Sequence, residues 1–374
     1  TSAGSVWNVV FPNGAQTVSS VDVRDSNASN NTVTVLGGTD SGNNNTNWLF
    51  VQTRYWVGGA GNWNQTTHWS ASSGGASGSS VPGTNHVVIF DSKSGSGTCR
   101  VTTTASVKGL FISGTNKMFV LQGTNTVTVG VSGYDQEAHT YRGEGGVLTV
   151  NGSFNLTDGT FSAPSNKVMY CRGNFTHTAG IFSNNSGTIS FSGTTVMSDA
   201  VADPFNNITI SGSLTAPETL NLVSNFANSG TFDANGGIVY FRSNTTVSGT
   251  STTAFNHVSI GGTLTAPATA MAVTGMWTNN GTFVHNGGRV QFNGTTEISG
   301  TRTTALNHVF INGSLTGPGT MPVIVAGGWT NNGAYDPNGG TVVFTNVTVM
   351  GGASTSRFNN VVISGSLTAP AGVM

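Results

Sequence analysis

The amino-acid sequence predicts an all-β chain, a parallel β-helix or β-solenoid built from ~51-residue repeats of about three coils each. Three observations carry that expectation. Gly, Ser, Thr, Asn and Val dominate, and all are poor helix formers. One segment recurs along the chain at a nearly constant interval. Within the aligned copies, a fixed apolar class alternates with a free one every second residue, the signature of strands with one face in a core.

The recurrence is explicit. Phe205-Asn206-Asn207-Ile208, running on to Leu214-Thr215-Ala216-Pro217, returns from Phe255-Asn256-His257, from Leu306-Asn307-His308 and from Phe358-Asn359-Asn360, in steps of 50, 51 and 52 residues. A degenerate earlier copy starts near Phe154, with Phe161-Ser162-Ala163-Pro164 standing for the Leu-Thr-Ala-Pro segment. Ile208, Val258, Val309 and Val361 share one position, and Ile210, Ile260, Ile311 and Ile363 the next but one. Ile189, Val239, Val290 and Val342 likewise precede Phe191, Phe241, Phe292 and Phe344 by two. The residues between them keep no type and so face outward. Ser-Gly, Asn-Gly-Gly and Ala-Pro punctuate the strands as turns. Cuts after Leu222 and Gly237 divide a unit into sub-segments of roughly 15 to 18 residues, each one coil at about 4.8 Å from the next. Separate small β-sandwiches are the competing arrangement, but units this short would struggle to be stable alone. Asn206, Asn256, Asn307 and Asn359 fall at strand corners, where a side-chain amide satisfies backbone groups.

Three regions follow. Residues 1–52 read as the closing coils of an upstream β-helical unit or as a docking segment. Residues 53–150 read as a Trp-rich capping segment with the first solenoid coils. Residues 151–374 read as the solenoid, with copies near 154, 205, 255, 306 and 358, the last incomplete. Thr1 is not an initiator Met and the chain stops inside a pattern already used, as expected of a processed chain or a piece of a longer one. Trp48, Trp56, Trp63 and Trp69 can plug an open solenoid end, since exposed coil edges need a cap or a partner; the functional alternative is an aromatic platform for sugar rings.

The segment Tyr55-Trp56-Val57-Gly58-Gly59-Ala60-Gly61-Asn62-Trp63, with His68-Trp69-Ser70, Val81-Pro82 and Val87-Val88-Ile89-Phe90-Asp91, resembles the opening of β-solenoid units in large secreted bacterial surface and fibre proteins. Autotransporter-like passengers and phage-fibre-like proteins belong to that loose group. Trp277-Thr278-Asn279-Asn280-Gly281-Thr282-Phe283 and Val290-Gln291-Phe292-Asn293-Gly294 resemble it too. The resemblance implies a solenoid fold and secretion, and no shared catalytic motif.

Composition narrows function. There are 13 Lys and Arg and 14 Asp and Glu in 374 residues, and the net charge is −1. Without a basic cluster nothing neutralises a phosphate backbone, so nucleic acid is excluded as a partner. No apolar run approaches the roughly 20 residues of a membrane span. The densest polar cluster is Asp135, Glu137, His139, Arg142 and Glu144, read as a solvated loop, with acid–base chemistry on polysaccharide as the alternative. His257 and His308 occupy equivalent repeat positions, but three coils between them, about 14 Å, is too far to share an ion. Asp22, Asp25 and Asp40 offer oxygen ligands to calcium without a complete loop, so turn formation is the preferred role. Cys99 and Cys171 lie around four coils apart and are expected free. Asn-x-Ser/Thr sequons such as Asn64-Gln65-Thr66 are as frequent as this composition alone produces. No catalytic, cofactor-binding or metal residue is therefore assigned. The expected role is that of a secreted, non-enzymatic shaft of an extracellular filament or cell-surface fibre, with copies of itself as partners. A glycan-binding adhesin or virion tail fibre is the alternative, and a polysaccharide-degrading β-helix enzyme a further one.

Overall fold

Short β-branched and aromatic strands cut by Gly and Asn turns can satisfy their backbone groups only by lying on copies of themselves. A computed structural model of the chain shows this arrangement and describes residues 5–11, 16–19, 21–29, 31–36, 38–42, 44–114, 119–123 and 125–369. Asn43, and Pro370 of the last Ala-Pro segment, lie outside them. The chain divides into two compact units, residues 1–167 with 179–183, and residues 168–178 with 184–374. Each is a parallel β-solenoid. Among the described residues there is no α-helix, and a single 3-10 turn, Thr66–His68, interrupts the strands.

In the first unit, Trp7–Val9 pairs with Ser26–Ala28, and Val33–Leu36 lies beside Trp48–Trp56. The ladder continues through His86–Phe90 and Ala105–Ile112 to Val127–Gln136, every pairing parallel. The exception is Trp56 beside Trp69, an antiparallel step made by the inserted residues 57–85. That insertion carries the tryptophans inward. Trp56, Trp63 and Trp69 are at most 2% exposed and meet each other and Phe90 edge-on or tilted, with centroids 4.9–6.2 Å apart. Two indole N–H groups are placed at the same time: Trp56 donates to the Gly59 carbonyl and Trp69 to that of Trp63, both at 2.7 Å. Polar ends thus satisfied let the rings fill a core.

In the second unit a coil has three strands. Asn207–Ile210, Ser213–Thr215 and Thr219–Leu222 are followed by Phe226–Asn228, Thr231–Asp233 and Ile238–Phe241, which pair with them in the same order. A repeat has eight strands, from Pro204–Phe205 to Thr245–Ser248 and again from Thr253–Phe255 to Thr295–Ser299, so it spans two and two-thirds coils. That value refines the expected three. Coils extend beyond the expected 15–18 residues: partners in the ladder are 17 apart at Phe205 and Leu222, 19 at Phe241 and Ile260, and 20 at Ile311 and Asn331.

The fractional value has a consequence for stacking. Equivalent residues of successive copies do not lie over one another; each copy begins on a different sheet. Phe205 lies beside Leu222, then Phe241, Ile260 and Asn279. On a second sheet the same succession runs Phe255, Val273, Phe292, Ile311, Asn331. A third starts Leu306, Val325, Phe344, Ile363. Each sheet therefore reads the same strand order with a shifted start, and a repeat step is a third of a turn with a rise of about 13 Å at ladder spacing. The expected Phe and Ile columns are mixed columns, buried throughout except at Ile363. His257 and His308 fall on different sheets.

Corners are built from three devices. An aromatic pair wedges each repeat, at 5.1 Å for Phe226 and Phe232 and 4.8 Å for both Trp277 with Phe283 and Trp329 with Tyr335. Asn235, Asn286 and Asn338 take positive φ at 48–49°, a conformation asparagine tolerates. Asn256, Asn307 and Asn359 donate to the carbonyls of Gly236, Gly287 and Gly339 one coil away, at 2.6–2.8 Å. At a further corner backbones touch: a Cβ on Gly281 would collide with the Gly262 carbonyl oxygen, and one on Gly333 with that of Gly313.

Two outcomes test this geometry. Removing residues 255–305, one repeat of 51, joins Ala254 to Leu306 and restores the same succession on every sheet. This deletion should leave a single cooperative thermal transition. Removing residues 261–279, one coil, deletes a strand from each sheet out of phase and takes Trp277 away from Phe283's corner, and should lower Tm substantially. Gly281→Ala should destabilise by about 1–3 kcal/mol in denaturant titration, because the carbonyl it meets belongs to a fixed ladder.

Candidate functional site

An inward position of a strand is apolar unless something pairs with the group placed there. In the later repeats one inward position is Asn. Asn279 donates to the Thr303 carbonyl at 3.0 Å and the Thr304 hydroxyl at 3.3 Å, and accepts from the Gly281 amide at 3.2 Å. Asn228 and Asn331 bridge their corners in the same way, to Thr253 and to Thr355 and Ser356.

The copy before them differs. Phe175-Thr176-His177 aligns with Phe226-Ala227-Asn228 and Trp277-Thr278-Asn279, so His177 stands where the later copies have Asn. Asp199 stands at the position of Gly249, Gly300 and Gly352, and Asp203 at that of Thr253, Thr304 and Ser356. The strand Phe175–His177 pairs with Thr194–Asp199, which sets His177 beside Asp199. Asp203 comes from the following turn. His177 Nδ1 lies 3.3 Å from Asp199 Oδ1 and 2.5 Å from Asp203 Oδ2, with side chains 0%, 1% and 11% exposed.

Backbone groups hold the turn. The Asp199 carboxylate accepts the amides of Val201, Ala202 and Asp203 at 3.3, 3.2 and 2.9 Å, and Ala202 sits at φ 57°. Asn221 donates to the Ala202 carbonyl at 2.6 Å and accepts from Arg242 Nε. Three amides and an amide side chain thus point Asp203 back at His177. Burial by itself would lower the His177 pKa; hydrogen bonds to Asp199 and Asp203, and their charges, outweigh it and raise the value to about 9. Among the described residues this is the one grouping of His, Cys, Asp and Glu whose ligand atoms, within 4.8 Å of one another, could hold a metal ion. The repeat alignment is the signal that finds it: three neutral positions are ionisable in one copy.

The residues singled out by sequence are distributed differently. Asp22, Asp25 and Asp40 do not converge on one ion site. Asp22 accepts from Ser41, Asp40 from Asn45 at 2.6 Å and Gly42 at 3.4 Å, and Asp25 pairs with Arg24 at 3.5 Å. The Asp135–Glu144 segment is not a loop. Val127–Gln136 and Thr140–Gly143 are both strands, because inward Tyr134, Gln136 and Tyr141 continue the core. Gln136 closes their corner, accepting from Tyr134 at 2.6 Å and donating to the carbonyls of Ala138, His139 and Thr160 at 3.1–3.2 Å. Asp135 and Glu137 line a shallow cleft with Phe111, Ile112 and Ser113, where burial and then Glu137 raise the Asp135 pKa. Arg142 and Glu144 form a surface pair at 4.0 Å. The His139 pKa is lowered, by burial.

His257 and His308 are structural caps, accepting the amides of Met276 and Gly328 at 2.9 and 2.8 Å. Cys99 and Cys171 are free and buried; burial pushes the Cys171 thiol up to about 12 and raises that of Cys99 as well. Trp56, Trp63 and Trp69 are core and offer no ring face to a sugar. The outward rings of Tyr240 and Phe310 are each covered by an arginine, Arg242 at 4.9 Å and Arg289 at 5.2 Å, and lie on different sheets. No family model matches the chain, and no curated protein or solved structure matches it either.

The His177 cluster predicts a pH dependence. Its folded-state pKa lies above the ordinary 6.5, so its contribution is fully present below pH 6.5 and lost as pH rises through about 9. At about 1.4 kcal/mol for each pKa unit, the loss is on the order of 3 kcal/mol. Denaturant stability in chelator-treated buffer should fall across that window, and His177→Asn should flatten the fall.

Proposed function

We propose that the chain is a structural subunit or shaft of an extracellular filament or cell-surface fibre, and that it assembles end to end through strand edges. The observation that carries this reading is the parallel ladder of the second unit, in which the strands of one coil lie on those of the coil before, as Phe226–Asn228 lies on Asn207–Ile210 and Trp329–Asn331 on His308–Ile311. A strand of such a ladder is a template for the next, whether in the same chain or in another copy. The scarcity of charge suits a shaft, whose surface has only to stay hydrated. Secretion fits the same reading.

Electron microscopy of the full chain over rising concentration tests it. Fibres that lengthen with concentration are expected, with a strand repeat of about 4.8 Å along their axis. A chain monomeric at every concentration, without fibres, overturns the reading.

A further inference from the structure

We propose that His177, Asp199 and Asp203 form a binding site for one divalent transition-metal ion of the Zn2+ class, built into a single corner of the second unit. The first support is the donor set. One imidazole nitrogen and two carboxylate oxygens converge with all ligand atoms within 4.8 Å of one another. Zn–N and Zn–O bonds of about 2.0–2.2 Å place ligand atoms roughly 3.3 Å apart in a tetrahedral shell, so small side-chain movements suffice to admit the ion. An imidazole ligand favours zinc and its neighbours; calcium and magnesium take oxygen.

The second support is the comparison with sister corners of the same chain. Asn228 with Thr253, Asn279 with Thr304 and Asn331 with Ser356 close their corners with neutral hydrogen bonds. Folding therefore does not require charge there. In the one divergent copy three positions change together, Asn to His, Gly to Asp and Thr or Ser to Asp, and the three side chains meet. Corner closure alone does not call for three ionisable groups, since the sister corners close with neutral ones.

The third support is charge. With a protonated imidazole the cluster carries one net negative charge at a site where the side chains are 0–11% exposed. A divalent ion with a neutral imidazole brings it to zero, and buried charge is tolerated when balanced in this way. On binding, the ion takes the place of the Nδ1 proton, which leaves to solvent. Asp199 is already oriented by three backbone amides, the role second-shell partners play around metal ligands. Asp203, the least buried of the three, marks the side on which solvent enters and where a water completes the shell.

The site is independent of end-to-end assembly and is tested on the chain as a monomer or a fibre. Full-length protein stripped with chelator is titrated with Zn2+ alone, read by native mass spectrometry and thermal unfolding, with Ca2+ in parallel. One Zn2+ per chain and a raised Tm are expected, and no Tm change with Ca2+. The control is His177→Asn with Asp199→Gly and Asp203→Thr, which rebuilds the neutral corner of the other copies and so keeps the fold. It should lose the bound Zn2+ and the Tm rise. Asp203→Asn, which replaces a carboxylate ligand by a neutral amide, should weaken binding by at least the roughly 10–100-fold that loss of an outer-shell partner costs. Wild-type protein that takes up no Zn2+, or a rebuilt corner that binds it equally well, overturns the proposal.

Discussion

A parallel ladder between coils allows no local freedom in the direction along which coils stack. Every backbone must lie about 4.8 Å from the next, and every side chain must fit the one beside it. Corner glycines follow from this, because at Gly281 and Gly333 the neighbouring carbonyl occupies the space of a Cβ. Corner asparagines follow too, since amides such as those of Asn256 and Asn307 reach the coil below and satisfy carbonyls no strand can. The low charge has the same origin. Outward residues that repeat at ladder spacing would place like charges side by side, which is destabilising. Small hydroxyl and amide side chains avoid that repulsion and stay hydrated.

The fold class was legible because alternation and repetition speak of the same faces. Position for position, Ile260 and Ile311 were read as inward from sequence, and they are buried. What sequence spacing could not reveal was the coil length. A 51-residue period divides as easily into three coils as into two and two-thirds, because turns such as Asn-Gly-Gly mark strand ends and not complete revolutions. Only pairing, for instance Phe241 with Ile260, separates the two. In the first unit the Asp135–Glu144 segment was misread for a related reason. Its outward charges hid the inward Tyr134, Gln136 and Tyr141, which keep the two strands in the core.

The candidate site was written in the sequence but in a form that composition and spacing do not expose. His177 is separated from Asp199 and Asp203 by a full coil, and no metal-ligand motif has that interval. The repeat supplies the missing reference, since it shows what an ordinary copy places at each of the three positions. Conversely, His257 and His308 attracted notice by recurring, and recurrence marked them as parts of the scaffold: each caps an amide of the next coil. In a repetitive chain the structural residues are the ones that return, and chemistry is to be sought where one copy departs from the rest.

The third-of-a-turn step also bears on mechanics. Had each repeat closed on whole coils, the bulky Trp277 and Trp329 wedges would lie on one side of the second unit, and successive repeats would add their curvature. Since the wedges instead visit the three sheets in turn, any bend introduced by one repeat is cancelled by the next two. A run of such repeats has equal flexural rigidity in every direction and no built-in curl. It can be lengthened in steps of three repeats without changing the direction in which its far end faces.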